Sequence, residues 1–262
     1  MASSKESKVL AKKYQKKTDR EHILDAPDTY IGSVEKDEDI GWMLDENNSM
    51  HRKKYTWVPG MFKCFDEGMV NCRDHFVRLN EKIKNKEKNI LSVKNIDINV
   101  DKETGVITMM NDGNGIDIVK HPEYKIWIPE MIFGHLRTGT NYDKSEKKIV
   151  GGKNGFGFKL VLIYSKWGQI ETVDHIRKLK YTQRFENNLT KICKPEITKL
   201  KGKVKPYTKV EWLLDFNRFG FDGISDDMFK LFKKRTWDIA AVTDKSLKVK
   251  FNDNVIPVRT FE

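Results

Sequence analysis

The sequence predicts an α+β fold, a two-layer sandwich with helices on one face of a mostly antiparallel sheet. Three observations carry this. Short segments of alternating apolar residues are separated by turn residues, the pattern of consecutive hairpins. A few longer segments read as helices, the clearest with apolar residues every three or four positions. The 262 residues include 14 Phe, 6 Trp and 8 Tyr, enough for a core and incompatible with a disordered tail.

Residues 1–18 read as a basic arm carrying Lys5, Lys8, Lys12, Lys13, Lys16 and Lys17; residues 19–262 are the domain proper. The arm lacks the apolar stretch of a secretory signal. Asp19 is placed to cap a short helix through Leu24, and Pro27 to Gly32 reads as a turn. Glu35 to Lys54 is polar, with strand propensity returning at Tyr55 to Val58. Pro59-Gly60 opens the clearest helix: Phe62, Phe65, Met69, Cys72, Phe76 and Leu79 recur at spacings of 3, 4, 3, 4 and 3. Residues 81–92 read as a charged connector. Ile96, Ile98 and Val100 alternate as a strand, and a turn at Lys102 to Gly105 returns the chain into Val106 to Met110. A helix is predicted from Pro129 to Leu136. A long loop with five glycines follows over 137–158. Strands are expected near 168–174, 179–185 and 207–214, then a helix from Asp226 to Val242. A hairpin from Leu247 to Phe251 and back through Val255 to Val258 ends the chain.

Lysine plus arginine total 49 against 38 acidic residues, a net charge of +11. That balance suits an anionic partner, but a lysine-rich solvated surface accounts for it almost as well. No apolar run is long enough to span a membrane. Cys64, Cys72 and Cys193 form no CxxC pair, which argues against zinc. The first two should share a helix about 12 Å apart, too far to bridge, leaving three reduced thiols of a cytosolic or nuclear protein.

Three clusters could carry chemistry. Glu67, Asn71 and Asp74 lie at i, i+4 and i+7 on one face of the long helix. They form either a solvated outer face or a working pair, a carboxylate that deprotonates water beside an amide oxygen that binds a hard cation. Gly68 favours the second, since an interior glycine costs about 1 kcal/mol relative to alanine. Asn111-Asp112-Gly113-Asn114-Gly115-Ile116 follows a strand. It is either a hairpin turn or a place where backbone approaches a flat ligand that Asn111 can reach. Gly151 to Lys159 is neither a Walker A loop, because Phe158 replaces its lysine, nor a dinucleotide fingerprint, because Leu160 replaces the third glycine. It is a flexible surface loop or a run of N–H groups feeding a helix, the geometry that binds phosphate.

Taken in order, FDEGMVN (65–71), NDGNG (111–115), TGTNYD (138–143), GGKNGFGFK (151–159) and YTKVEW (207–212) resemble the N-terminal ATPase domain of type IIA DNA topoisomerases. That domain has the GHKL (Bergerat) fold, shared with gyrase B, MutL, histidine kinases and heat-shock chaperones. The resemblance extends from YQKKTDREHILDAPDTYIGSVE (14–35) to FNDNVIPV (251–258).

The resemblance implies ATP and Mg²⁺ as cofactors. It makes Glu67 the general base, Asn71 the Mg²⁺ ligand, Asn111 the reader of the adenine amino group and Thr208 a hydroxyl contact to adenine. It places Ile116, Thr138, Thr140 and Asn141 at the nucleotide, and Gly152, Lys153, Asn154, Gly155, Phe156 and Gly157 in the phosphate loop, closed by Lys159. Tyr14, on the arm, would reach the nucleotide of a homodimer partner. Gly139 stands where serine is usual, so one phosphate or ribose hydrogen bond should be missing, and Phe158 stands where a small residue is usual, so local packing should differ.

The implied role is a gate whose ATP-driven dimer closure captures a DNA duplex for strand passage. The implied compartment is nuclear, with cytoplasmic or large-DNA-virus settings as alternatives. No Gln-Thr-Lys tripeptide occurs, so the transducer lysine of the family, and the DNA-cleavage domains, are expected elsewhere in a larger enzyme. Two rivals remain: another GHKL ATPase, such as a chaperone or MutL-like protein, and a basic nucleic-acid-binding module without catalysis. The second lacks the basic and aromatic interleaving of a base-stacking surface and predicts no Mg²⁺-dependent nucleotide binding.

Overall fold

The computed structural model describes residues 9–10, 13–14, 16–45, 47–138, 156–258 and 260. Its centre is a nine-stranded sheet. The strands are β3 (Asn95–Val100), β4 (Val106–Asp112), β5 (Ser165–Asp174), β6 (Leu179–Glu186), β7 (Lys191–Ile192), β8 (Glu196–Lys199), β9 (Tyr207–Leu214), β10 (Lys248–Phe251) and β11 (Asn254–Val255). The spatial order is β11-β10-β3-β4-β9-β5-β6-β7, with β8 also on β6. Every pairing is antiparallel except β10 with β3. A separate hairpin joins β1 (Asp37–Leu44) to β2 (Met50–Trp57).

One face of the sheet is covered by α3 (Pro59–Lys84), α5 (Gly157–Ile163) and α6 (Asp226–Ala241). In α3 the predicted stripe holds: Phe65, Met69, Cys72, Phe76 and Leu79 are buried, joined by Met61 and Cys64. Phe65 stacks on Phe232 of α6 with ring centroids 4.2 Å apart. Arg235 Nε donates to Asp66 Oδ1 at 2.7 Å beside that contact. The sheet answers with alternate residues: Ile107 and Met109 on β4, Val210, Trp212 and Leu214 on β9, and Ile170 on β5. The long helix packs tightly on the sheet at Gly68, where an added Cβ would lie 2.6 Å from Met109 Sδ and 3.2 Å from Trp212 Cη2. This explains the interior glycine that propensity alone disfavours.

Several boundaries differ from expectation. The first helix, α1 (Asp19–Asp25), is capped by Thr18 rather than Asp19, in a reciprocal box with Glu21. The predicted turn after it contains one helical turn, α2 (Pro27–Tyr30). The polar stretch before Tyr55 is the hairpin β1–β2, and α3 runs through Lys84 into the presumed connector. A short helix, α4 (Ile128–Gly134), ends two residues earlier than predicted. The last strand is only Asn254–Val255. Cys64, Cys72 and Cys193 are free thiols. Burial pushes the Cys72 thiol up to about 12, so it is inert packing.

Candidate functional site

The floor of the site is a row of polar side chains on the helix-facing side of three strands. Asn111 on β4 pairs with Thr208 on β9, and Thr208 with Thr172 on β5. Below them the same face is apolar, so this row marks where the core ends. Asn111 is 5% exposed. Its Nδ2 donates to the Asp112 carbonyl at 2.9 Å, which fixes the amide and leaves Oδ1 with no partner among the described residues. The Thr172 hydroxyl donates to the Tyr207 carbonyl at 3.1 Å and accepts the Ile116 N–H at 3.0 Å. Its 3.0 Å contact with the Thr208 hydroxyl is then donated by Thr208. Asn111 Oδ1 and the Thr208 oxygen are thus two acceptors side by side.

The loop after β4 is fastened on both sides. Asp112 accepts the N–H groups of Lys94 and Asn95 at 2.6 and 2.9 Å. The Asn114 side chain accepts the Leu91 N–H at 2.7 Å and donates to the Asn89 carbonyl at 3.2 Å. Ile118 N–H reaches Asp174 at 3.1 Å, and Arg177 bridges Asp174 and Asp117 at 2.7 and 2.6 Å.

Gly113 has φ +87°. A Cβ on Gly115 would lie 2.1 Å from the Val173 carbonyl oxygen. The close approaches that these glycines permit are therefore to the protein's own chain, not to a flat ligand as the spacing suggested. From α3, His75 Nε2–H donates to the Asn114 carbonyl at 2.7 Å. Burial, helped by Arg78, lowers the His75 pKa to about 4 and keeps the ring neutral.

Helix α3 supplies the second wall. Of the predicted face, Asp74 is buried, Glu67 is half-buried and Asn71 is exposed, so the three residues do not form a uniformly solvated stripe. Glu67 pairs with Lys63 at 2.6 Å. Asp74 lies 3.8 Å from Arg73.

Helix α5 closes the far end. Lys159 is buried, with Nζ donating to the Thr138 carbonyl at 2.5 Å, and burial lowers its pKa to about 8. The Thr138 hydroxyl lies 2.5 Å from the Met131 carbonyl and 2.6 Å from that of His135, so its proton is used at the end of α4. Phe156 precedes α5 and packs against Tyr30 with ring centroids 5.8 Å apart. Gly157 begins the helix with φ +34°. Phe158 fits edge-on against Phe133 and Trp212 at 5.6 and 5.2 Å, so the larger residue is absorbed by an aromatic cluster. Gly139, Thr140, Asn141, Gly152, Lys153, Asn154 and Gly155 lie outside the described residues. Tyr14 is 70% exposed, with local contacts to Leu10 and Lys13.

The structure thus brings together Asn111, Thr208 and Ile116 through Thr172, which sequence reasoning missed. Its only signal was a threonine at the period-2 core position of β5, where an apolar residue is the default.

No protein-family model matches the chain. The chain is 44% identical over 265 residues to DNA topoisomerase 2 of Acanthamoeba polyphaga mimivirus, covering 99% of this chain and 20% of that protein. It is 43% identical over 251 residues to DNA topoisomerase 2 of Saccharomyces cerevisiae, covering 95% of this chain and 17% of that protein. It therefore spans only about a fifth of the length of these relatives.

The crystal structure of the ATPase region of the Saccharomyces cerevisiae enzyme superposes with TM-score 0.86 and 41% identity, over 96% of this chain and 64% of that one. The ATPase domain of Thermus thermophilus gyrase B, at 17% identity and TM-score 0.61, shares the fold. The mixed sheet, its single helical layer and the polar row at its end define a GHKL-fold nucleotide-site domain. Within that class the chain is homologous, over nearly its whole length, to the ATPase region of DNA topoisomerase 2.

Proposed function

We propose that this domain binds ATP and acts as the ATP-operated gate of a type IIA topoisomerase, closing as a dimer around a DNA duplex. The observation that carries the nucleotide assignment is the pair of adjacent acceptors, Asn111 Oδ1 and Thr208 Oγ1, at the end of the core. An adenine 6-amino group donates to such a pair, whereas guanine presents a carbonyl oxygen there. Thr172 holds Thr208 and the Ile116 backbone in register, and the apolar rows below exclude water from the edge of the base.

At the phosphate side, Glu67 is placed on the same helix as Asn71, one turn before it, and serves as the base that takes a proton from the attacking water. Lys63, now paired with Glu67, restrains that carboxylate. Lys159 meets the phosphates from α5. The residues fit a magnesium ion of the kind that binds mainly to phosphates. Asn71 offers one exposed hard oxygen, and among the described residues no cluster of three His, Cys, Asp or Glu forms a closed metal site. Asn71 would hold Mg²⁺, which would neutralise phosphate charge.

Calorimetric titration with non-hydrolysable ATP and GTP analogues, each with and without Mg²⁺, tests the reading. The adenine analogue should bind more tightly, because leaving the acceptor pair facing a carbonyl costs roughly 1–3 kcal/mol. Asn111→Ala should shrink that preference. Equal affinity for the two analogues would refute the assignment.

A further inference from the structure

Charge is not spread evenly over the molecule. Between Lys191 and Lys209 there are seven lysines (191, 194, 199, 201, 203, 205 and 209) and one acid, Glu196, a net 7 − 1 = +6 out of a total of +11. Two of the seven lie near carboxylates: Lys191 pairs with Glu186 at 2.7 Å, and Lys209 lies 4.0 Å from Glu171. The other five, Lys194 beside β7 and Lys199, Lys201, Lys203 and Lys205 around the end of β8, are exposed and have no ion-pair or hydrogen-bond partner among the described residues.

The topology adds to them. Lys199 pairs with Leu179 across β8 and β6, and Leu200 N–H donates to the Lys178 carbonyl at 2.8 Å. Lys178, itself exposed and without an ion-pair partner among the described residues, is thereby placed at the same corner of the sheet.

Lysines on an edge strand also guard against edge-to-edge pairing. That role accounts for Lys199, the last residue of β8. It does not account for Lys201, Lys203 and Lys205, which lie past the end of the strand on the loop that returns to β9. We infer that this corner, Lys178 with Lys199, Lys201, Lys203 and Lys205, is a contact surface for the phosphate backbone of duplex DNA. The inference rests on the reading of the domain as part of a DNA-handling enzyme and adds a surface separate from the nucleotide site.

Three features favour a duplex over other polyanions. Among the described residues from 178 to 209 no aromatic side chain is exposed for base stacking, and Tyr207 is half-buried with its hydroxyl bonded to Glu171, so single strands gain little beyond charge. An acidic protein partner would need buried apolar anchors, and the corner presents only an isolated exposed Ile176. A line of unpaired ammonium groups on a loop suits closely spaced phosphates, where each contact releases counterions.

The test uses the full chain and a fluorescently labelled duplex, with affinity measured by anisotropy across a range of salt. Replacing Lys199, Lys201, Lys203 and Lys205 together with glutamine should weaken binding at low salt by about tenfold or more. It should also flatten the slope of log K against log salt by roughly three to four, at about 0.9 per lost phosphate contact. Affinity for a non-hydrolysable ATP analogue should not change, since the nucleotide site is untouched.

As a control, Lys84, Lys86 and Lys88 at and just past the end of the long helix are changed to glutamine, and should leave the slope nearly as it was. Wild-type slope in the quadruple variant would overturn the inference, as would an equal loss in the control variant. Single-stranded DNA or polyglutamate binding as tightly as duplex would overturn the choice of partner, and a preference for duplex RNA would do the same. Failure of the nucleotide titration with intact duplex binding would fell the gate reading instead.

Discussion

The sheet side of the site is held by hydrogen bonds that are already complete within the protein. Thr172 is bonded to the Tyr207 carbonyl, the Ile116 N–H and Thr208, while Asp112 and Asn114 clasp the loop from below. The helix side is arranged differently. There the cations are held by acceptors within the protein: Lys63 by the Glu67 carboxylate and Lys159 by the Thr138 carbonyl. A ligand on the sheet side meets two prepared acceptors and displaces nothing. A phosphate on the helix side must draw Lys159 from its carbonyl and compete for the cation beside Glu67. Base recognition is therefore preorganised, and phosphate recognition is an exchange of partners.

The largest expected effect lies on the helix side. Glu67→Gln keeps the side-chain shape but removes the proton acceptor. ATP turnover by the intact parent enzyme should fall by roughly 10²–10⁴, with analogue binding retained. Unchanged turnover would take Glu67 out of the base role.

The next effect lies beneath the sheet side. His75 has its pKa lowered to about 4 by burial, against an ordinary value near 6.5. The unfolded chain therefore binds more protons between these values, and stability rises with pH across that window. Lowering the pH from 6.5 to 4 should cost up to about 3 kcal/mol from this group alone. His75→Gln, which keeps a donor for the Asn114 carbonyl, should remove that part of the slope in urea titrations at several pH values. An unaltered pH dependence in the variant would contradict the buried neutral imidazole.

Smaller still is Thr172→Val. It deletes the hydroxyl that receives the Ile116 N–H and orients Thr208. Folding should lose about 1 kcal/mol, and the preference for adenine over guanine should narrow. A variant that loses stability but keeps its full preference would show that Thr208 needs no help from β5.

Much of the sheet side was legible in the sequence, and the reasons are local. Asn111 stands at the end of an alternating strand, and the following glycines announce a turn. The long helix was equally plain, because its apolar stripe is regular and Gly68 breaks propensity for a packing reason. What the sequence hid was tertiary. Thr172 gains its role only when β9 brings Thr208 beside it, a pairing across 36 residues. Gly115 looked like room for a ligand because spacing cannot say which atoms will fill the gap; the Val173 carbonyl fills it. The β1–β2 hairpin escaped notice because most of its side chains face solvent, so its alternation carries charge on both faces, with Ile40 and Trp42 left exposed. The ends of short edge strands such as β7 and β8 depend on their neighbour, not on their own residues.

The most direct measurement is a crystal structure of the domain with a non-hydrolysable ATP analogue and Mg²⁺. The account predicts the adenine 6-amino group against Asn111 Oδ1 and within reach of Thr208, the ion on Asn71, and Lys159 turned from the Thr138 carbonyl to a phosphate. An adenine bound away from the Asn111–Thr208–Thr172 row would contradict it, as would a triphosphate that leaves the Lys159 contact with Thr138 in place.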